Sequence, residues 1–380
     1  MPRNGKIRIL HMTPPIIKNG IYKYIFSNLR YLDRTKFEFD FLLGKKEELM
    51  QTEEYQRYHF GIRTFSVTPR EDEKRFREEI TEILSDGYDV IQLHTSFWQG
   101  FIIEEIAMQI GIPKVIVHAH STGLDENDSI KRGVLMQNHE RLKRQFDWKY
   151  ATDLWACSRK AADWLYDRRI SREKICIMPN AIDVDAYAFD EEMRRCKRDE
   201  LGLTGCYVLG HTGRFEYQKN HEFLLRVFSK VRSRVSNAKL LLIGDGSLLL
   251  QMQKLAKTLG IDKDVIFLGW REDVADLLQA MDVYCLPSRF EGLSIVSIEA
   301  QAAGLKCIAG DAVPSEAAVT DNFISLSLDD ELWIEEIIRW REGYERSILK
   351  QQIRKAGFDI RDQVRKLENK YLESVSENIV

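Results

Sequence analysis

Short apolar runs of β character recur through the chain, each followed by a stretch of helical periodicity, and this rhythm narrows the fold more than any other feature. In the first half the runs are Ile7–Met12, Phe37–Leu43, Val90–His94, Lys114–His118, Asp153–Cys157 and Ile175–Met178. After Pro179 the rhythm restarts with Tyr207–His211, Leu240–Ile243, Val265–Leu268, Val283–Leu286, Cys307–Ala309 and Ile324–Leu328. Near-continuous apolar strands alternating with helices predict parallel sheets covered on both faces. Twelve such runs exceed one comfortable sheet, so Pro179-Asn180-Ala181-Ile182-Asp183 is read as a hinge between two doubly wound α/β domains, residues 1–183 and 184–360. Beyond them, Gln363 to Ser376 has the pattern of a charged amphipathic helix with Val364, Leu367, Tyr371 and Leu372 on one stripe. Ligands of such folds bind outside the carboxyl ends of the strands, which predicts a cleft between the two domains.

Composition removes whole classes of function. With 44% hydrophobic and 30% charged residues the chain is globular, and its net charge of −3 argues against nucleic acid as a partner. No apolar run approaches the roughly 20 residues that span a bilayer. The first run is broken by Arg8, His11 and Pro14-Pro15, a poor signal peptide and a good first strand. The six cysteines never fall two to four apart, against the usual zinc and thioredoxin-type spacings. The expectation is a reduced, cytoplasmic protein. Its basic stretch from Lys131 to Lys174, with Trp148, Trp155 and Trp164, leaves room for peripheral contact with the inner face of a membrane or a lipid-linked acceptor.

Chemistry concentrates in Pro287 to Gly304. This segment follows a strand and opens a helix, with Ser294 the candidate N-cap and Gly304 the terminator. Gly292 permits close backbone approach, and the free N–H groups from Leu293 to Ser297 would favour an anion. Glu291 and Glu299 beside such a site suit hydroxyl groups, of which sugars have many. Taken alone they also fit one exposed loop glutamate and one on a helix face. Arg214 and Lys219, five residues apart after the strand Tyr207–His211, suit a diphosphate, the first by forked hydrogen bonds and the second as a point charge. His118 and His120 fall on one side of their strand. Alone they fit a metal or a core role, but no Asp, Glu or Cys at suitable spacing completes a metal site, and none is expected.

These segments resemble the retaining glycosyltransferases of family 4. Glu291, seven residues, then Glu299 within Phe-Glu-Gly-Leu-Ser…Glu-Ala…Ala-Gly looks like that family's signature. Gly213-Arg214-Phe215-Glu216-Tyr217-Gln218-Lys219-Asn220 resembles its Gly-Arg…Lys-Gly phosphate segment. Leu241 to Gly246 resembles its glycine loop, Val265 to Trp270 its base-pocket strand, and Met178 to Asp183 its Pro-Asn-Gly-Ile-Asp linker. The resemblance is dense over residues 178–304 and looser before them.

It implies the GT-B fold, two Rossmann-like domains with an interdomain cleft, and a last helix (about 361–380) returning to the first domain. It implies transfer of a hexose-type sugar from a nucleoside-diphosphate sugar, with overall similarity to exopolysaccharide and capsule enzymes tilting toward UDP and a saccharide or lipid-linked saccharide acceptor. No cofactor or metal is implied. Arg214, Lys219, Glu291 and His120 would carry the chemistry. Gly20, Gly213, Gly244, Gly246, Trp270, Arg271, Gly292, Leu293, Ser294 and Glu299 would bind the donor. His118 would be structural. Where the family has two adjacent glycines this chain has Asn19-Gly20, and Asn tolerates positive φ.

Asp183-Val184-Asp185 lies in the hinge, away from any strand end, and is read as accidental. The wrong carboxylate arrangement argues against a glycosidase. A sugar-nucleotide 2-epimerase on the same fold, or a non-catalytic nucleotide-sugar-binding subunit, are the competing readings.

Overall fold

The computed structural model describes residues 5–13 and 19–373. Pro14-Pro15 and the end of the predicted last helix, from residue 374, lie outside the described residues. Among the described residues thirteen strands form two sheets. The first holds β1 (Ile7–Met12), β2 (Phe37–Leu43), β3 (Gly61–Thr64), β4 (Val90–Thr95), β5 (Lys114–Ala119), β6 (Asp153–Ala156) and β7 (Ile175–Ile177). The second holds β8 (Tyr207–Thr212), β9 (Ala238–Ile243), β10 (Val265–Phe267), β11 (Val283–Leu286), β12 (Lys306–Gly310) and β13 (Phe323–Leu326).

Both sheets are parallel and share one winding, β3-β2-β1-β4-β5-β6-β7 and β10-β9-β8-β11-β12-β13. This is the Rossmann order, in which strand order reverses between β1 and β4 and again between β8 and β11. The apolar runs locate twelve strands to within one or two residues. The thirteenth, β3, is an edge strand of three half-buried residues and one exposed, Gly-Ile-Arg-Thr, with no apolar run to betray it.

The chain divides into two compact units, residues 1–124, 133–181 and 360–380 in one and 125–132 with 182–359 in the other. Each has its own core. In the first, Ile9, Phe37, Phe41, Val90, Ile116 and Trp155 pack with Ile360, Val364, Leu367 and Tyr371 of the last helix, Ile360–Leu372. Leu372 is exposed, so the apolar stripe of that helix ends at Tyr371. In the second, Leu209, Leu240, Leu242, Val283 and Ile308 of the sheet pack against Phe223, Phe228 and Trp333.

Several residues of the basic stretch make structural contacts. Trp155 is buried in the first core, Trp164 stacks on His139 and donates to the Ser96 carbonyl, and Arg172 pairs with Asp163. Of the three tryptophans only Trp148 counts as exposed. No helix among the described residues is long and apolar enough to cross a membrane. All six cysteines are free thiols. Asp185 of the hinge Asp-x-Asp pairs with Lys350 and Arg354.

Candidate active site

The switch point of the second unit lies between β8 and β11, and the loops leaving these two strands are clipped together there. Arg289 N–H donates to the Gln218 carbonyl (2.8 Å), Gln218 Nε2 to the Phe290 carbonyl (3.0 Å) and Asn220 Nδ2 to the Pro287 carbonyl (3.1 Å). Asn220 stands where the family segment ends in Gly, and it has φ +56 and ψ +43. Asn is the non-glycine residue that best tolerates this left-handed conformation, so the turn survives the substitution.

Lys219 and Glu291 meet across the two loops, Nζ to Oε1 at 2.6 Å. Ser288 Oγ donates to the same oxygen at 2.6 Å, and Gln218 Nε2 reaches Oε2 at 3.4 Å. Glu291 is buried, not the exposed loop residue that sequence alone permits. Below the pair, His211 Nδ1 donates to the Cys285 carbonyl (2.8 Å), and burial lowers its pKa to about 3, with the Lys219 charge acting the same way. His221 is lowered by burial too and stacks on Phe215.

Arg214 is held by Asp125, Nη2 to Oδ2 at 2.6 Å, while Asp125 Oδ1 accepts from Gln218 N–H at 3.0 Å. Asn127 beside it accepts from Tyr217 N–H and donates to Glu216 and Ser247. Residues 125–132 come from the first half of the sequence, and no local pattern marks them as part of this unit.

Three glycines of this region are explained by packing. A Cβ on Gly244 (φ +140) would stand 2.1 Å from the Gly213 carbonyl oxygen, and one on Gly246 (φ +155) 2.6 Å from that of Phe215. A Cβ on Gly213 would meet Lys219 Cγ at 2.9 Å. The glycine loop after β9 lets two strand-end loops touch.

The helix Ile295–Ala302 starts at Ser294 as expected, and Gly304 (φ +71) follows its end. The Ser294 hydroxyl makes no capping bond and is buried without a hydrogen-bond partner. Leu293 is a core residue, so only its backbone can face a ligand. Glu299 is fully buried, which corrects the expectation of a helix-surface glutamate. Trp270 is exposed after β10, and Arg271 forms a two-pronged ion pair with Asp273 (both contacts 2.7 Å). In the first unit Asn19 is extended (φ −142), not left-handed. Its side chain caps the helix Gly20–Tyr31 by accepting from Ile21 and Tyr22 N–H, so two first-turn donors already have a partner.

His120 follows β5 and shares one face with His118, ring centroids 4.0 Å apart. The sheet adds two further rings. His94 is the register partner of His118 on β4, its Nδ1 lies 2.9 Å from His120 Nε2, and its Nε2 lies 3.1 Å from His11 Nδ1. Burial lowers the pKa of all four, to about 3 for His11 and His120. The residue that joins His118 and His120 is thus not an Asp, Glu or Cys but a third histidine, His94, and a ligand atom of each lies within 4.8 Å of the others. A search along the chain cannot see a partner that arrives by strand register.

Residues 18–186 match the family described as Glycosyltransferase Family 4, and residues 206–341 that described as Glycosyl transferases group 1. The chain is a family 4 glycosyltransferase. This glycosyltransferase is 29% identical over 96% of both chains to EpsF of Bacillus subtilis, which also carries a glycosyltransferase name. It is 23% identical over 98% of both chains to the UDP-Gal:alpha-D-GlcNAc-diphosphoundecaprenol alpha-1,3-galactosyltransferase of Escherichia coli. Its fold, GT-B in class, matches that of Anabaena HepE solved with UDP and glucose (TM-score 0.78, 17% identity, 97% of this chain and 100% of that one).

Proposed function

We propose that this glycosyltransferase moves a hexose-type sugar from UDP to a saccharide or lipid-linked saccharide acceptor, with retention at the anomeric carbon. The observation that carries the reading is the Lys219–Glu291 pair at the β8/β11 switch point, which offers a cation for phosphate beside a carboxylate for sugar hydroxyls. The naming of the E. coli relative for UDP-Gal and a diphosphoundecaprenol acceptor, and the UDP bound to HepE, support the donor and acceptor classes.

In this reading the bond from the anomeric carbon to the diphosphate breaks, and the negative charge growing on the leaving group is met by Lys219 and Arg214. Arg214 exchanges the Asp125 carboxylate for phosphate as the donor enters. Fixed cations beside a leaving group lower the barrier because they need no reorganisation as charge develops. They also make a metal unnecessary for this step. The acceptor hydroxyl attacks from the leaving group's own face and passes its proton to a phosphate oxygen. Glu291 receives hydroxyls of the transferred sugar, Glu299 those of the ribose, and His120 the sugar. Backbone N–H groups from Gly292 to Ser294 add to the phosphate site.

Calorimetric titration with UDP, GDP, ADP and CMP, first metal-free, tests this. Micromolar binding of UDP alone is expected. Binding of GDP instead would overturn the donor, and binding of none would remove the roles of Glu291 and Glu299.

A further inference from the structure

We propose that His94, His118 and His120 form a binding site for a divalent transition-metal ion of zinc type. The three rings come from neighbouring parallel strands, in register at His94 and His118, and their centroids lie 4.0, 5.0 and 5.8 Å apart. One ligand atom from each lies within 4.8 Å of the others. Tetrahedral zinc with Zn–N of about 2.0–2.1 Å needs nitrogens about 3.3 Å apart, so side-chain torsions alone can close the set.

The surroundings match what a metal site requires of its supporting groups. Metal-binding histidines usually have their other ring nitrogen held by a neighbour. Here His94 Nε2 meets His11 Nδ1 at 3.1 Å, and His118 Nδ1 meets the Gln92 amide at 3.0 Å. Gln92 Oε1 accepts from the Tyr371 hydroxyl (2.5 Å), so with the amide turned over and Tyr371 Oη accepting in its turn, Gln92 accepts from His118 Nδ1–H and leaves Nε2 for the ion. That Nε2 is fully buried with no geometrically formed hydrogen bond, and the Met178 backbone lies close to the ring. His94 and His118 are buried while His120 is only partly so, which leaves a fourth position open on the His120 side for water or an anion. Three nitrogens with one open position is the pattern of a reactive or exchangeable zinc site, and an all-imidazole set selects zinc, copper, nickel or cobalt over magnesium and calcium. An ion held by His120 would take that ring from the transferred sugar, so zinc should inhibit transfer. The site itself does not depend on that role.

Titration of the chelator-stripped full chain with Co²⁺ tests the site by its spectrum, apart from activity. One equivalent should give the visible absorption of four-coordinate cobalt, displaced by Zn²⁺. His120→Gln, the least buried of the three, should weaken binding at least about tenfold while far-UV circular dichroism stays unchanged. X-ray absorption of the zinc-loaded wild type should show nitrogen ligands at about 2.0 Å, a readout that needs no variant. A wild type without the cobalt band, sulfur ligation in the absorption spectrum (Cys196 is exposed), or unchanged affinity in folded His120→Gln would each overturn the proposal.

Discussion

Lys219 and the buried Glu291 form a largely buried ion pair, 2.6 Å between Nζ and Oε1, that joins the loops leaving β8 and β11. Breaking such a pair from one side leaves a charge without compensation, at a cost of about 3–5 kcal/mol. Lys219→Ala should therefore lower stability by that order and turnover at least about a hundredfold, as losing a transition-state charge donor does. Lys219→Met with Glu291→Gln should recover stability but not turnover. Urea unfolding and initial rates on the double variant separate the two effects, and recovery of both would remove Lys219 from the reaction.

Arg214 behaves differently because its pair with Asp125 is partly solvated, with side-chain exposures of 29% and 18%. Surface-type pairs contribute about 0–1 kcal/mol. Arg214→Ala should leave the thermal midpoint almost unchanged and still reduce turnover about a hundredfold. Asp125→Ala, which frees the guanidinium for phosphate, should tighten UDP binding in calorimetry. Weaker binding would show that Asp125 supports the site instead.

Gly244→Ala places a methyl group 2.1 Å from the Gly213 carbonyl oxygen at φ +140. Backbone on both sides leaves no flexible atom to yield, so a loss of at least about 2 kcal/mol is expected in chemical denaturation. Gly20→Ala meets nothing within 4 Å and should cost nothing measurable.

Acid should unfold the protein early. Burial lowers the pKa of His211 to about 3 and His139 to about 4, and it lowers His221 as well. Their unfolded values lie near 6.5, so between there and the folded values the unfolded chain binds protons that the folded chain refuses. Their stabilisation is complete above about pH 6.5 and falls as pH drops, by up to about 1.4 kcal/mol per unit for each histidine. Glu104, raised by burial to about 7, acts in the opposite sense between about 4.5 and 7, but it is one group against these three and the likewise lowered His11, His94, His118 and His120. Metal-free thermal midpoints should be flat above pH 7 and fall toward pH 5. A flat profile to pH 5 would mean these rings are not buried neutral.

Much of the candidate site is legible along the chain because its parts are local. Arg214 and Lys219 follow one strand within a few residues, Glu291 and Glu299 flank one helix start, and the glycines announce tight loops. The physical reason for each is less legible. Gly244 and Gly246 read as ligand contacts, and packing against the 213–215 backbone explains them. Glu299 reads as a helix-surface residue, and it is buried.

By itself the sequence determined the two doubly wound units, since apolar runs and helical periods are properties of neighbouring residues. It also determined which loops carry charge. Only the tertiary structure decided that Asp125, 89 residues before Arg214, neutralises it. Only the sheet decided that His94 stands opposite His118. Contacts of this kind are set by strand register and loop return, which place residues distant in sequence within 3 Å of one another and leave no periodic trace in the chain.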